Sequence, residues 1–214
     1  MKSVAIICDG QFPKKDYPIY LIHQADYIVC CDGAVNTFLR HIHDRIPDIV
    51  IGDMDSIKSL PGFPAEHIVK VEEQDDNDQT KAFNYAIGHF KDIDSIHILG
   101  ATGKREDHTL GNMSLLMEYS RTYDLEKIGI KVDMVSDWST IFAITDTTSI
   151  EVGEGRRISI FSPDNSLTIK SSGLVWPTDN VLFDNWWKAT LNRASEDTVT
   201  LSFNHPSIAL IVLD

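Results

Sequence analysis

Continuous apolar runs punctuate the first half of the chain, at residues 4–8, 27–31, 49–51, 68–71 and 96–99. Uninterrupted rather than alternating runs are expected of strands covered on both faces. Helical spacing appears between and after them. Ala82, Phe83, Ala86, Ile87 and Phe90 follow Asp78 and Thr80, two residues suited to capping, and predict a helix with one apolar face. Leu110, Met113, Leu116 and Met117 predict another after Asp107. Strands that alternate with helices imply an α/β fold with a mainly parallel sheet.

The texture changes beyond about residue 131. Short strand candidates at 132–135, 141–144, 158–161, 167–169, 189–191, 199–203 and 208–213 are separated by Gly, Pro, Asp, Asn and Ser. TVTLSF alternates, which puts Val199, Leu201 and Phe203 on one face. No helical pattern interrupts this part, so it reads as a β-sandwich or a related all-β module. The boundary falls within 124–139, and the expected division is an α/β domain over 1–130 and a β-sandwich over 131–214.

A chain of 214 residues with 43% hydrophobic content can build one large core or two modest ones. Its formal charge of −13 disfavours nucleic acid as a partner. An anionic small molecule is compatible with that charge if it brings a cation or meets a local basic cluster. No apolar stretch is long enough to span a bilayer, and MKSVAIICDG lacks a signal-peptide pattern, so no membrane partner and a cytoplasmic location are expected. Cys8, Cys30 and Cys31 have no metal-ligand spacing and read as small strand residues in a reducing compartment.

Ligands of open parallel sheets bind outside the carboxyl ends of the strands. Four strand ends carry suitable chemistry: CDGAVN from Cys31, GDMDS from Gly52, EEQDDNDQTK from Glu72 and GATGKREDH from Gly100. Asp53, Asp55 and Asp78 offer the hard oxygen atoms that Mg2+ prefers. Gly100, Gly103, Lys104 and Arg105 combine close backbone approach with cations for phosphate. Convergence of these segments predicts a metal–polyphosphate site, although no Walker A pattern is present. Plainer roles compete residue by residue. Asp78 and Asp107 also suit helix N-caps, Asp32-Gly33 suits a turn, and His108 suits a structural hydrogen bond.

In order and spacing, the four segments resemble the thiamine pyrophosphokinase (thiamine diphosphokinase) family. Its D-G motif with a following Asn appears as Asp32, Gly33 and Asn36, and its G-D-x-D-S as Gly52 to Ser56. A third motif keeps Gln74, Asp75, Asp78, Thr80 and Lys81 but departs at Glu73 and Asn77. The fourth keeps Gly103, Arg105, Asp107, His108, Leu110 and Asn112, with Lys104 in place of a glycine. The resemblance implies a Rossmann-like α/β domain and a C-terminal β-sandwich. It further implies a homodimer, with sites at the subunit interface, that transfers the diphosphate of ATP to the hydroxyl of thiamine and releases AMP.

By the same resemblance, Asp53, Asp55 and Asp78 hold Mg2+ and form the catalytic group. Asp32, Gly33, Asn36, Ser56, Gln74, Thr80, Lys81, Gly103, Arg105, Asp107 and His108 bind ATP. Trp176, in GLVW, and Ser195 bind thiamine, while Val175 and Glu196 depart from the family pattern. An aromatic face suits the thiazolium cation, although Trp176 also suits a sandwich core.

Two other readings compete. One is a phosphoaspartyl phosphatase using the D-x-D pair, which would leave a covalent phosphate on Asp53. The other is a nucleotide or thiamine sensor silenced by Asn77 and Glu196.

Overall fold

Strands apolar on both faces need cover on both faces, and the way helices meet the sheet decides where a ligand can enter. A computed structural model describes residues 1–57 and 63–214. Packing divides the chain into two units, Met1–Leu115 with Glu126–Asp137, and Leu116–Leu125 with Trp138–Asp214. The first begins with β1 (Lys2–Ile7), α1 (Asp16–Gln24), β2 (Tyr27–Cys31), α2 (Ala34–His41) and β3 (Ile49–Gly52). It continues through β4 (Ile68–Lys70), α3 (Asp78–His89) and β5 (Ile93–Leu99). Next come α4 (Glu106–Tyr123), α5 (Leu125–Ile128) and β6 (Lys131–Val135), the two helices running across the division.

The strands of this unit lie in the order β6-β5-β1-β2-β3-β4, and every described pairing among them is parallel. Ala5, Ile7, Ile28, Cys30 and Val50 pack with Ile22, Val35 and Phe38 of α1 and α2 on one face. Val4, Ile6 and Val29 alternate to the other face, where α3 lies against β1, β2 and β3. Phe38 and Phe83 are fully buried, each contributing about 1.5–3 kcal/mol of apolar burial. Pairing with β5 makes β6 part of this sheet. By packing, residues 126–137, and β6 with them, belong to the first unit.

The second unit holds β7 (Thr140–Ile144), β8 (Thr148–Glu151), β9 (Arg157–Phe161) and β10 (Ile169–Ser172). They are followed by β11 (Asn192–Arg193), β12 (Thr198–Phe203) and β13 (Ala209–Leu213). β11-β9-β13-β7 and β10-β12-β8 are antiparallel series. Ile158, Ile160, Ile169, Val199, Leu201 and Ile211 fill a shared core, with Phe203 partly buried against it. That is a β-sandwich, and the alternation of TVTLSF is realised in β12.

Several expected details differ. Residues 189–191 form no strand because Leu191 takes a φ of 57°, outside extended geometry, and donates its N–H to Ser159 Oγ at 3.0 Å. Residue 167 ends a turn, its N–H donating to Asp164, so β10 starts later than the apolar run. The α3 cap is Asn77, whose side chain accepts the Thr80 N–H at 2.9 Å, and Asp78 is the first helical residue. Leu110 points away from the buried stripe of α4 and is exposed.

Candidate active site

The order of strands reverses at β1, which has β2 on one side and β5 on the other. Loops leaving β1 and β5 therefore depart in opposite directions and open a crevice at their carboxyl ends. A cavity of about 400 Å³ occupies that position, lined by the turn after β1, the turn after β2, Ser56, the start of α3 and the loop after β5. Two backbone bonds fasten its floor, Gly10 N–H to Gly100 O at 2.6 Å and Gln11 N–H to Thr102 O at 2.7 Å. A Cβ on Gly10 would lie 2.2 Å from the Gly100 oxygen, so this closure requires glycine.

One carboxylate oxygen from each of Asp32, Asp53 and Asp55 lies within 4.8 Å of the others. The fold assembles them because Cys31 and Ile51 pair in register, so the ends of β2 and β3 stand side by side. Asp32 enters the turn with φ 36°, a left-handed conformation that Asp and Asn tolerate. A Cβ at Gly52 would lie 2.7 Å from Asp32 Cβ, so the missing side chain lets the two ends approach. Asp32 is 5% exposed, and its Oδ2 accepts the Ser56 N–H at 3.2 Å. Its buried Oδ1 has no hydrogen-bond partner among the described residues.

Asp53 Oδ1 accepts the Asp55 N–H at 3.2 Å and Oδ2 accepts Gln74 Nε2 at 3.4 Å. These bonds, the backbone one first, hold its pKa below the usual carboxylate range. The Ser56 hydroxyl donates to Asp55 at 2.7 Å, and Asn36 Nδ2 donates to the Gly33 carbonyl at 3.0 Å and the Ser56 carbonyl at 3.4 Å. Ser56 thus ties the β3 loop to Asp32 and Asp55 through one residue.

Asp78 stands apart from this triplet, on the first turn of α3, 3.7 Å from the Nζ of buried Lys81. Loss of water raises its pKa against the pull of Lys81, and the charges of Asp32 and Asp53 push the same way. Lys81 also reaches the Val71 carbonyl at 3.4 Å. Thr80 is held at the α3 cap through its N–H. Across the cavity, Gly103 takes φ 88° against the Gln11 side chain. Arg105 pairs with Asp107 through two contacts of 3.1 and 2.5 Å. That pairing raises the guanidinium pKa and lowers the carboxyl pKa. Asp107 Oδ1 also accepts the His108 N–H at 2.9 Å, and His108 lines the cavity.

Trp176 and Ser195 belong to the second unit, where a bridge between Leu174 and Ala194 runs their segments side by side. Buried Asn192 clamps the Trp176 backbone, accepting its N–H at 3.2 Å and donating to its carbonyl at 2.6 Å. The indole is 57% exposed, so it is not a core side chain. Ser195 is exposed and donates its N–H to Gly173 O at 2.8 Å.

Asp9 lines the cavity and was not singled out from sequence, nor was the grouping of Asp32 with Asp53 and Asp55. A signal existed: the tripeptide Cys-Asp-Gly occurs twice, at 8–10 and 31–33, each time at the end of an apolar run.

A crevice at the switch point of a parallel sheet, with a carboxylate triplet and cations around it, suits the class of enzymes that handle the phosphate groups of a nucleotide. Comparison with known proteins narrows that class. Residues 19–127 match the family model described as Thiamin pyrophosphokinase, catalytic domain. Residues 140–208 match Thiamin pyrophosphokinase, substrate-binding domain. The chain is 31% identical over 192 residues to thiamine pyrophosphokinase of Bacillus subtilis (strain 168), covering 84% of this chain and 83% of that protein. It is 27% identical over 216 residues to thiamine pyrophosphokinase 1 of Oryza sativa subsp. japonica, covering 86% and 78%. Among solved structures, thiamine pyrophosphokinase from Bacillus subtilis matches with a TM-score of 0.79 and 24% identity over 100% of this chain and 99% of that one. Thiamin pyrophosphokinase from Candida albicans matches with a TM-score of 0.78 and 19% identity over 99% and 88%. The chain belongs to the thiamin pyrophosphokinase family. Its reaction is the ATP-dependent transfer of diphosphate to thiamine.

Proposed function

We propose that the switch-point cavity holds the polyphosphate of ATP and that Asp53 and Asp55, joined by Asp32, hold Mg2+ beside it. The observation that carries this reading is the convergence of three carboxylate oxygens within 4.8 Å, one residue of the three being buried with an oxygen that lacks a partner. An all-oxygen donor set suits a small hard cation. When bound, the cation supplies charge neutralisation along the phosphate chain. In this reading Asp78 is a fourth acidic residue of the site, lining the cavity from the first turn of α3 beside Lys81. Gln74, Lys81 and Arg105 contact phosphate, while Gly33, Asn36, Ser56, Thr80, Gly103, Asp107 and His108 shape the nucleotide site.

The hydroxyethyl oxygen of thiamine attacks the β-phosphorus in line. One O–P bond forms, the bond from the β-phosphorus to the α,β-bridging oxygen breaks, and AMP leaves with that oxygen. The hydroxyl proton passes to a carboxylate of the acidic group. Positioning and charge neutralisation account for most of the acceleration in such transfers. Trp176 offers an exposed aromatic face to the thiazolium, an attraction worth about 0.5–2 kcal/mol. The division of labour is a nucleotide-binding first unit and a thiamine-binding second unit, working as a homodimer with sites at the subunit interface. Three free, buried cysteines accord with a reducing, cytoplasmic setting.

Purified protein with Mg2+, ATP and thiamine, analysed by chromatography, tests the reading. AMP and thiamine diphosphate are expected in equal amounts. ADP with thiamine monophosphate would overturn diphosphate transfer, and a phosphate trapped on Asp53 would point to the phosphatase chemistry instead.

A further inference from the structure

Three cations near the cavity are each held by a carboxylate, and one pairing differs in kind. Lys81 pairs with Asp78 one helical turn away, and Arg105 pairs with Asp107 two residues on. Lys104, in contrast, meets Asp9, with Nζ 3.0 Å from Oδ1. These two residues lie 95 positions apart on the loops that flank the switch point, and both line the cavity. Backbone bonds from Gly10 and Gln11 fix the two loops together beneath them. The other Asp9 oxygen faces the turn after β2, 3.7 Å from where a Cβ on Gly33 would stand. Asp9 is therefore directed at the cavity from one side and Lys104 holds it from the other.

We propose that Lys104 is a phosphate-binding residue of the nucleotide site and that Asp9 is its resting counterion, exchanged for the polyphosphate when nucleotide enters. This rests on the placement of ATP in the cavity proposed above. Both side chains are about half exposed, and ion pairs of that kind are worth about 0–1 kcal/mol, so the pair is cheap to open. A phosphate chain presents several charges and acceptor oxygens to the same ammonium group, and the competition favours the ligand. In the resting enzyme the pair keeps Lys104 at the cavity rim and cancels a carboxylate that would otherwise repel nucleotide. The cavity needs that cancellation because Asp32 and Asp78 also line it.

Equilibrium titration calorimetry with Mg2+ and ATP, at two salt concentrations, tests the exchange. Lys104→Ala should weaken ATP binding about ten-fold, since it removes a cation and uncovers Asp9, while Lys104→Arg should stay within about three-fold of the parent. Asp9→Asn should tighten binding about two- to five-fold by freeing Lys104. Asp9→Asn combined with Lys104→Ala should recover part of the single-variant loss. Dependence of affinity on salt should be shallower in Lys104→Ala than in the parent. Near-parental affinity in Lys104→Ala, or equal losses in the alanine and arginine variants, would overturn the proposal. A parent protein that binds no ATP would instead overturn the placement of nucleotide, so the two failures are told apart.

Discussion

Asp32→Asn isolates the role of the buried carboxylate with little change of shape, and its effect should reverse sign with Mg2+. The side chain is buried, one oxygen lacks a partner, and oxygens of Asp53 and Asp55 lie within 4.8 Å. At that separation each like-charge pair is unfavourable by about 1 kcal/mol with water-like screening and about 3 kcal/mol at an effective dielectric of 20. Leaving a buried acceptor unpaired adds about 1–3 kcal/mol. The backbone should tolerate the change, because Asn accepts the positive φ that Asp32 adopts. Even with much of the repulsion screened by the exposed Asp55, the metal-free variant should be about 1–2 kcal/mol more stable than the parent. For a chain of this size each kcal/mol moves the melting temperature by roughly 2–4 °C. Saturating Mg2+ should stabilise the parent, by about 2.7 kcal/mol at a hundred-fold excess over the dissociation constant. The variant should lose most of that response, and its turnover should fall by about two orders of magnitude or more. The assay is thermal unfolding with EDTA and with Mg2+, alongside AMP release. A variant less stable than the parent in EDTA, or one with an undiminished Mg2+ shift, would refute the reasoning.

Gly52→Ala should destabilise the protein by about 1–3 kcal/mol and lower turnover at least ten-fold, because its Cβ would press on Asp32 at 2.7 Å between strands already fixed by backbone bonds. Urea unfolding and the AMP assay read both effects. Trp176→Ala should raise KM for thiamine about 2- to 30-fold, the range of a single cation–π contact, with melting temperature nearly unchanged because the ring is exposed. Asp164 accepts the Ser166 hydroxyl and N–H and the Ser207 hydroxyl, which pull its pKa down to about 2. A lowered folded-state pKa gives stability that is complete above the unfolded value near 3.8 and fades as pH falls toward 2. Asp164→Ala should therefore cost about 1 kcal/mol at neutral pH, after allowance for solvent screening, and nothing by about pH 1. A loss of equal size at both ends would show that the carboxylate charge is not the cause.

Continuous apolar runs made the parallel sheet legible because burial on both faces leaves no polar position to break the run. Helix α1 was harder to see. Its residues DYPIYLIHQ carry Pro18 and Ile22 inside but leave Tyr17 and Tyr20 exposed, so apolar side chains surround the helix instead of marking one face. Residues 189–191 misled for a local reason. Ala189 is buried and its carbonyl accepts the Ile160 N–H at 2.9 Å, as a strand residue would, but Leu191 then turns into left-handed geometry. An apolar triplet records burial and carries no information on that dihedral angle.

For the site, adjacency in sequence was a poor guide to adjacency in space. Asp53 and Asp55 were visible as a pair because the chain itself keeps them together. Asp32 joins them only because β2 and β3 are neighbours in a register that pairs Cys31 with Ile51, and because Gly52 has no side chain. Asp9 reaches Lys104 through a longer chain of causes: β1 and β5 must be neighbours, and Gly10 must close on Gly100. Cys-Asp-Gly at the end of β1 and again at the end of β2 is the local trace of that arrangement, since each strand must stop, turn tightly and present a carboxylate at the same edge. In the roles proposed above, the two carboxylates diverge through their surroundings. Asp32 is enclosed beside other acids with an unpartnered oxygen, a setting that favours a bound cation, whereas Asp9 is half exposed and already paired with an ammonium group that a phosphate can take from it.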